Sequence, residues 1–333
     1  MPSSLNPAIT APSALDDLVR AGLARWDYPK DTSFWLHTLS ENATYVIEPP
    51  TSDRVVLRVH RPGYHSRAAI ESELAWMQAL HAEADVITPT PIAGRDGAFI
   101  QEVDSGALGL RHLVLFRFIE GREPDPSDNL IDPLQRLGEM SAKLHDHARG
   151  WTRPAWFTRF SWNDETILGE TPHWGHWSSG PKVDAVAAGL LSRAQALIRQ
   201  RLKRFGRTPE RYGLIHADIR LANLLIDGSS TRVIDFDDSG FGWFLYDAAT
   251  TVSFHEDHPN ASDWIEAWLT GYARAGQLTQ DETAEIPTFV LLRRLALLGW
   301  MGTHTEVDIV RELSPTYAEG SCRLAEEYLS RFG

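Results

Sequence analysis

Leu214-Ile215-His216-Ala217-Asp218-Ile219-Arg220-Leu221-Ala222-Asn223-Leu224-Leu225-Ile226 and, after a short turn, Val233-Ile234-Asp235-Phe236-Asp237-Asp238 form two apolar runs of β character. Each run delivers carboxylates or an amide at its end. Asp218 and Asn223 lie five residues apart, and Asp235 follows twelve residues later. A hairpin can bring all three together. Their hard oxygen donors suit Mg²⁺ bridging the phosphates of a nucleotide. In phosphoryl transfer one Asp accepts or orients the proton of the attacking hydroxyl, while an Asn and a second Asp hold the metal. Asp218 fits the first role; Asn223 and Asp235 fit the second. His216, two residues before the candidate base, is grouped with it as catalytic and is expected to brace the loop through backbone carbonyls or the later Asp.

His216-x-Asp218-x₄-Asn223, then Ile234-Asp235-Phe236-x-Asp238 and Tyr246-Asp247-Ala248-Ala249, resembles the aminoglycoside phosphotransferase/choline kinase superfamily. Within it the chain is most similar to the bacterial branch of RdoA/YihE-type stress-response kinases and type II homoserine kinase-like proteins. A lone His-x-Asp would be unspecific; the paired motif is not, and the likeness extends over nearly the whole chain. It implies an α+β, two-lobed, protein-kinase-like fold: a small five-stranded antiparallel nucleotide-binding lobe over residues 1–116, a hinge at 117–123, and a mostly helical lobe carrying the catalytic loop over 124–333. It also implies ATP as phosphate donor with Mg²⁺, and a hydroxyl-bearing acceptor.

Composition sets outer limits. At 333 residues the chain is long enough to bury a large core and to form two lobes. No apolar run approaches the roughly 20 residues needed to span a bilayer, so no membrane association is expected. Met1-Pro2-Ser3-Ser4-Leu5-Asn6 lacks the basic and apolar regions of a signal peptide, and the single cysteine, Cys322, rules out an internal disulfide. Both point to the cytoplasm. A net charge of −13 disfavours a nucleic-acid partner, because phosphate backbones are bound by Lys/Arg surfaces. Solubility alone accounts for that acidity, though it would also suit a cationic substrate. Monomer and homodimer are both compatible with the sequence.

Outward from the motif, helical spacing of Leu15, Leu18, Val19 and Leu23 predicts a leading helix. Strand patterns follow at Phe34–Leu39, Thr44–Glu48, Arg54–His60, Ala98–Val103 and Arg111–Phe118, with Thr88-Pro89-Thr90-Pro91 as a break. The turn Leu39-Ser40-Glu41-Asn42-Ala43 stands where the resembled family covers nucleotide phosphates, so Ser40 and Asn42 are candidate nucleotide contacts. It contains no glycine, and an ordinary β-turn is the plain alternative. Arg58 stands where the family carries a phosphate-binding Lys, and the guanidinium fork is not equivalent to an ammonium. Glu73, rather than Glu71, is expected to pair with it. Phe116 and Phe118 lie in the segment that resembles the adenine-contacting link between lobes.

Leu130 to His147 reads as a helix whose His145 and His147 are structural rather than metal ligands, since residues two apart point to different sides. Trp151, Trp156, Trp162, Trp174 and Trp177 crowd an irregular segment. They either anchor a long loop or offer π-faces to a cationic or sugar-like acceptor. Asp247 is expected to cap a helix or brace the catalytic loop. Asp238 is open to a second metal, the acceptor, or a hydrogen bond within its turn. Arg293 and Arg294, set among leucines, could reach the acidic cleft, and His255-Glu256-Asp257-His258 reads as a surface loop, with acceptor contacts as the alternative. The expected function is transfer of the γ-phosphate of ATP to a hydroxyl of an amino alcohol, sugar or aminoglycoside-like small molecule. A protein Ser/Thr kinase, a nucleotide-binding pseudokinase and a metal-dependent hydrolase are the rival readings.

Overall fold

The computed structural model describes residues 12–39, 42–104, 106 and 108–333, and Ser40, a candidate nucleotide contact, lies outside them. The chain divides into two compact units. The first takes in residues up to 79, then 88–120 and 153–158; the second comprises 80–87, 121–152 and 159–333.

The first unit is built on a six-stranded antiparallel sheet of β1 (Ser33–Leu39), β2 (Ala43–Glu48), β3 (Val55–Val59), β4 (Pro91–Ile92), β5 (Ile100–Asp104) and β6 (Leu110–Arg117). The order is β1-β2-β3-β6-β4, with β5 also paired to β6. Five of these strands lie where period-two apolar patterning puts them. The sixth, β4, falls at the end of the predicted Pro-rich break, and its two residues pair with Phe116 and Leu115. Proline has no N–H to give a ladder but is tolerated as the first residue of an edge strand, which is where Pro91 sits. Helix α1 (Pro12–Leu23) lays Leu15, Leu18, Val19 and Leu23 into one apolar cluster with Tyr45, Ile47, Leu57, Leu113 and Leu115 of the sheet. Helix α2 (Arg67–Glu83) buries Ile70, Leu74, Met77 and Leu80, the period expected of it.

The second unit is mostly helical. Helix α3 (Ile131–Gly150) precedes strand β7 (Phe160–Trp162), α4 (Asp164–Leu168) and α5 (Ala185–Phe205). The quoted motif then runs through β8 (Tyr212–Ile215), β9 (Leu224–Asp227), β10 (Ser230–Val233) and β11 (Gly240–Trp243) into α6 (Phe244–Thr250). β11 pairs antiparallel with β8 and parallel with β7, while β9 and β10 form a separate hairpin in which Val233 faces Leu224. Helices α7 (Ala261–Tyr272), α8 (Gln280–Thr283), α9 (Ile286–Thr303), α10 (Asp308–Leu313) and α11 (Tyr317–Phe332) complete it. No helix among the described residues is long and apolar enough to cross a membrane.

Helices α3 and α7 meet backbone to backbone. A Cβ on Gly138 would run into the carbonyl of Trp268, and one on Gly271 into the carbonyl of Gln135. Neither obstacle is a flexible side chain that could turn away, so the two glycines set the distance between the helices. Gly271→Ala is expected to destabilise the protein by about 1–3 kcal/mol, the usual cost of overpacking. The check is a lower denaturant midpoint at unchanged slope; an unchanged midpoint would mean that the helices can separate at no cost.

Candidate active site

The motif's apolar residues are consumed by packing. Leu214, Ile215, Leu224 and Val233 are buried, and this leaves the polar residues between them at the ends of β8 and β10. Two non-glycine residues there take left-handed backbone conformations, Ala217 at φ 67° and Asp235 at φ 63°. Such conformations cost of order 1–3 kcal/mol each and persist only where neighbours impose them.

At Ala217 the neighbour is Asp247. Its Oδ1 accepts the Ala217 N–H at 2.7 Å and its Oδ2 the His216 N–H at 3.1 Å, with the carboxylate wholly buried. His145 on α3 meets the same Oδ2 through Nε2 at 2.9 Å and the Tyr272 hydroxyl through Nδ1 at 3.2 Å. Thr250 completes the brace: its Oγ1 accepts the Ile219 N–H at 3.0 Å. Two peptides just before Asp218 and the one after it are therefore fixed from helix α6. Asp247 braces the loop, one of the two roles read from its position.

At Asp235 the fixing comes from the motif itself. The Ile234 N–H donates to the Asn223 carbonyl at 2.9 Å, and the Ile234 carbonyl lies 3.2 Å from His216 Nε2. The other nitrogen, His216 Nδ1, accepts the Asp218 N–H at 3.3 Å. These bonds define one tautomer, with the proton on Nε2. His216 is fully buried and has both nitrogens committed to the main chain. Through them it bridges the Asp218 and Ile234 segments of the loop.

Asp218 itself is held through both carboxylate oxygens. Oδ2 accepts from Asn223 Nδ2 at 2.8 Å and from Arg220 Nε at 3.4 Å, while Oδ1 accepts from Arg293 Nη2. Arg293 comes from α9 and is 1% exposed. Its Nε donates to Ser253 Oγ at 2.8 Å and its Nη1 to the Ala217 carbonyl at 3.3 Å. Burial works against its charge, but Asp218, Tyr246 and Asp238 around it outweigh burial and raise its pKa above the ordinary arginine value. Only Arg293 of the adjacent pair reaches the motif. Arg294 turns to Glu256 at 2.6 Å, Ser321 Oγ at 2.8 Å and the Tyr317 carbonyl at 3.0 Å. Glu256 is accordingly 5% exposed, not on a surface loop as the clustered polar residues suggested.

The Asn223 amide spends its NH₂ on Asp218, at 2.9 Å to the carbonyl as well as 2.8 Å to the side chain, and keeps its oxygen as an acceptor. That oxygen and the carboxylate of Asp235, which follows the Ile234 bonded to the Asn223 carbonyl, are both hard donors. Among the described residues no group of three or more His, Cys, Asp or Glu could enclose a metal. The pair thus fits a cation whose remaining ligands come from phosphates and water, the usual manner of Mg²⁺.

The other sequence candidates lie in the first unit. Arg58 Nη1 meets Glu73 Oε1 at 2.6 Å, with Glu73 fully buried, whereas Glu71 pairs with Arg67 at 3.0 Å. The Arg58 guanidinium also lies 5.1 Å from the Phe116 ring centre. Asn42 Oδ1 accepts the Arg61 N–H at 3.0 Å, a bond from the residue before β2 to the segment just after β3. Phe116 is on β6, and Phe118 is half-buried one residue past its end.

The tryptophans are mostly scaffold. Trp162 Nε1 donates to the Asp238 carbonyl at 2.7 Å, Arg159 Nε to the Ser239 carbonyl at 2.6 Å, and Trp177 Nε1 to Gln195. Trp174 does present its face to a cation, but the cation is Arg293, 4.9 Å from the ring centre. Trp156, by contrast, is exposed. Sequence reasoning also passed over Arg220, Thr250 and Ser253. Arg293 had a signal: a charge inside an apolar helical run must find a buried partner.

Three comparisons bear on this geometry. The profile of the phosphotransferase enzyme family matches residues 37–286, three quarters of the chain. The chain belongs to that family. A solved microcompartment-associated aminopropanol kinase is 46% identical, with a TM-score of 0.88 over 96% of this chain and 98% of that one. Amicoumacin kinase of Bacillus subtilis is 21% identical over 309 residues, 89% of this chain and 88% of its own length. A solved amicoumacin kinase, in complex with AMP-PNP, Ca²⁺ and Ami, shares the fold at 18% identity and a TM-score of 0.78, over 98% of this chain and 96% of that chain. Like its family, the protein is an ATP-dependent phosphotransferase acting on a hydroxyl group of a small molecule.

His145 and His216, both wholly buried, make stability depend on pH. Burial lowers the pKa of both His145 and His216, against the opposing pull of Asp247. Their pKa values are depressed in the folded state, so the unfolded chain binds more protons once pH falls below the ordinary histidine value. The stability they contribute is present above that value and lost below it. The unfolding free energy is expected to drop from pH 7 to pH 5 by up to about 1.4 kcal/mol per pH unit for each histidine. His216→Gln should remove its share of that slope in denaturant titrations; a slope identical to the parent's would take His216 out of the account.

Proposed function

We propose that the acceptor is a small amino alcohol and that Asp218 is the base that takes its hydroxyl proton. The observation that carries the acceptor is the 46% identity, over nearly the full length of both chains, to an aminopropanol kinase. In this reading the hydroxyl oxygen bonds to the γ-phosphorus as the bond to the departing ADP oxygen breaks, and the proton passes to Asp218 Oδ2 or Oδ1. Asn223, through its free amide oxygen, and Asp235 hold Mg²⁺, which when bound offsets charge on the phosphates. Arg58, steadied by Glu73, contacts phosphate oxygens. Asn42, Ser40, Phe116 and Phe118 belong to nucleotide binding, with 1–116 as the nucleotide lobe, 117–123 as the hinge and 124–333 as the catalytic lobe. The cytoplasm, where ATP and Mg²⁺ are abundant, is the fitting compartment.

The ammonium of such an acceptor needs a carboxylate, and with Trp174 taken by Arg293 the candidate is Asp238. It is 9% exposed, three residues from Asp235, in a turn that Arg159 and Trp162 hold through its carbonyls. Asp238→Asn is expected to raise the KM for an amino alcohol about fivefold and leave that for ATP within about twofold, as for loss of one ion pair of about 1 kcal/mol. Equal KM values for parent and variant would remove Asp238 from acceptor binding.

The acceptor itself is tested by ADP release with 1-amino-2-propanol, ethanolamine, choline, homoserine, a hexose and a serine peptide. Stimulation by the amino alcohols is expected. The reading fails if the hexose or the peptide is the faster substrate. Asp218→Asn should keep ATP binding and lose about 10²–10⁴-fold in kcat, the range for a positioned acid or base. Activity within a few-fold of the parent would dismiss Asp218 as the base.

A further inference from the structure

Arg293 is one of the largest fully buried side chains of the protein, it is charged, and nothing in the family motif requires it. Apart from Arg294, which turns to Glu256, its neighbours along helix α9 are apolar, with Leu291, Leu292, Leu295, Ala296 and Leu297 all buried. Burying an ion there costs several kcal/mol of desolvation, and a buried ion pair often contributes no more to stability than apolar residues of the same size. Stability alone is therefore a poor reason for an arginine at this position.

Its bonds are directed. Each of the three guanidinium nitrogens has a different acceptor: Ser253 Oγ, the Ala217 carbonyl and Asp218 Oδ1. The Trp174 ring centre lies 4.9 Å from the guanidinium carbon and that of Tyr246 5.9 Å, so aromatic rings restrict the group as well. The Ala217 peptide, strained at φ 67°, is pinned through its N–H by Asp247 and through its carbonyl by Arg293. The Asp218 carboxylate is pinned from opposite ends, with Arg293 on Oδ1 and Asn223 and Arg220 on Oδ2. Lysine could supply the charge but not the planar fork that meets three acceptors at once.

We propose that Arg293 is a positioning residue for phosphoryl transfer: its guanidinium holds the Asp218 carboxylate and the Ala217 carbonyl so that the base meets the acceptor hydroxyl in a single orientation. This rests on the reading of Asp218 as the base. Holding a reacting group in its attack geometry lowers the entropic part of the barrier, and a misplacement of about 1 Å can cost on the order of 10²-fold in rate. The effect belongs to the chemical step, not to nucleotide binding.

The test is steady-state kinetics of Arg293→Ala and Arg293→Lys with ATP and the panel compound that gives the fastest ADP release, with circular dichroism to confirm folding. The expected result for Arg293→Ala is a kcat lower by about 10²-fold with the KM for ATP within about twofold. Arg293→Lys should recover less than about a tenth of that loss. Methylguanidinium at tens of millimolar should fill the space beside Trp174 and raise kcat of Arg293→Ala. It should do nothing for the parent or for Arg293→Ala combined with Asp218→Asn. A kcat for folded Arg293→Ala or Arg293→Lys within about twofold of the parent overturns the proposal, as does a folded, impaired Arg293→Ala that methylguanidinium leaves unchanged. If Arg293→Ala does not fold, Arg293→Lys decides on kcat; if neither folds, the arginine is a structural ion and the proposal is wrong. Asp218→Asn, run alongside, separates the readings: full activity there removes the base assignment, whereas loss there without loss at Arg293 removes only this inference.

Discussion

The carboxylate of Asp247 is the fixed point of the catalytic unit. It has no contact with solvent and accepts two adjacent backbone N–H groups, those of His216 and Ala217, while also meeting the ring of His145. A buried carboxylate without such donors would be costly, and two peptide N–H groups left without an acceptor would be costly as well. Each side therefore requires the other. The result is a peptide in an unfavourable conformation that cannot relax, with Asp218 as the next residue. Through His145 and the Tyr272 hydroxyl the same carboxylate is tied to α3 and α7, whose separation two glycines set. The direction of the candidate base is thus a property of helix packing some distance away.

Three buried arginines each meet a carboxylate. Arg58 goes to Glu73, Arg293 to Asp218 and Arg294 to Glu256. Arg293 and Arg294 are neighbours in sequence, yet a turn of about 100° per residue sends them to different faces of α9. One completes the motif and the other closes the segment 253–257 against α11. Replacing either by lysine would keep the charge and lose the geometry, since each uses several guanidinium nitrogens on separate acceptors.

Much of this was legible in the chain. Period-two and helical patterns located the strands of the first unit and the helix that packs on them, because those patterns record which side of an element faces the core. The motif spacing singled out Asp218, Asn223 and Asp235, of which the structure bonds Asn223 to Asp218, and the expected brace at Asp247 follows from a carboxylate at the start of a helix just after the motif. What could not be read was long-range pairing. The two-residue strand at Pro91 exists only because β6 offers it an edge. Arg293 and Asp218 are 75 positions apart, and nothing local to either names the other. The tryptophans show the same limit from the other side: their number suggested a cation site, but which cation occupies it depends on tertiary neighbours. Glu256 looked like surface because polar neighbours flank it, and only the approach of Arg294 makes its burial tolerable.

Helix α9 has a consequence for the order in which the molecule becomes competent. The motif from His216 to Asp238 is contiguous and could assume its hairpin early, but the guanidinium that grips Asp218 arrives on a helix that follows it in the chain and starts where the family profile ends, at residue 286. An arginine can be drawn out of water only against its carboxylate, so α9 docks fully only when the motif is already formed, and the motif is complete only when α9 has docked. Final packing and assembly of the site are then a single cooperative event. A chain in which α9 has not docked carries every motif residue yet lacks the bonds from Arg293 to the Asp218 carboxylate and the Ala217 carbonyl.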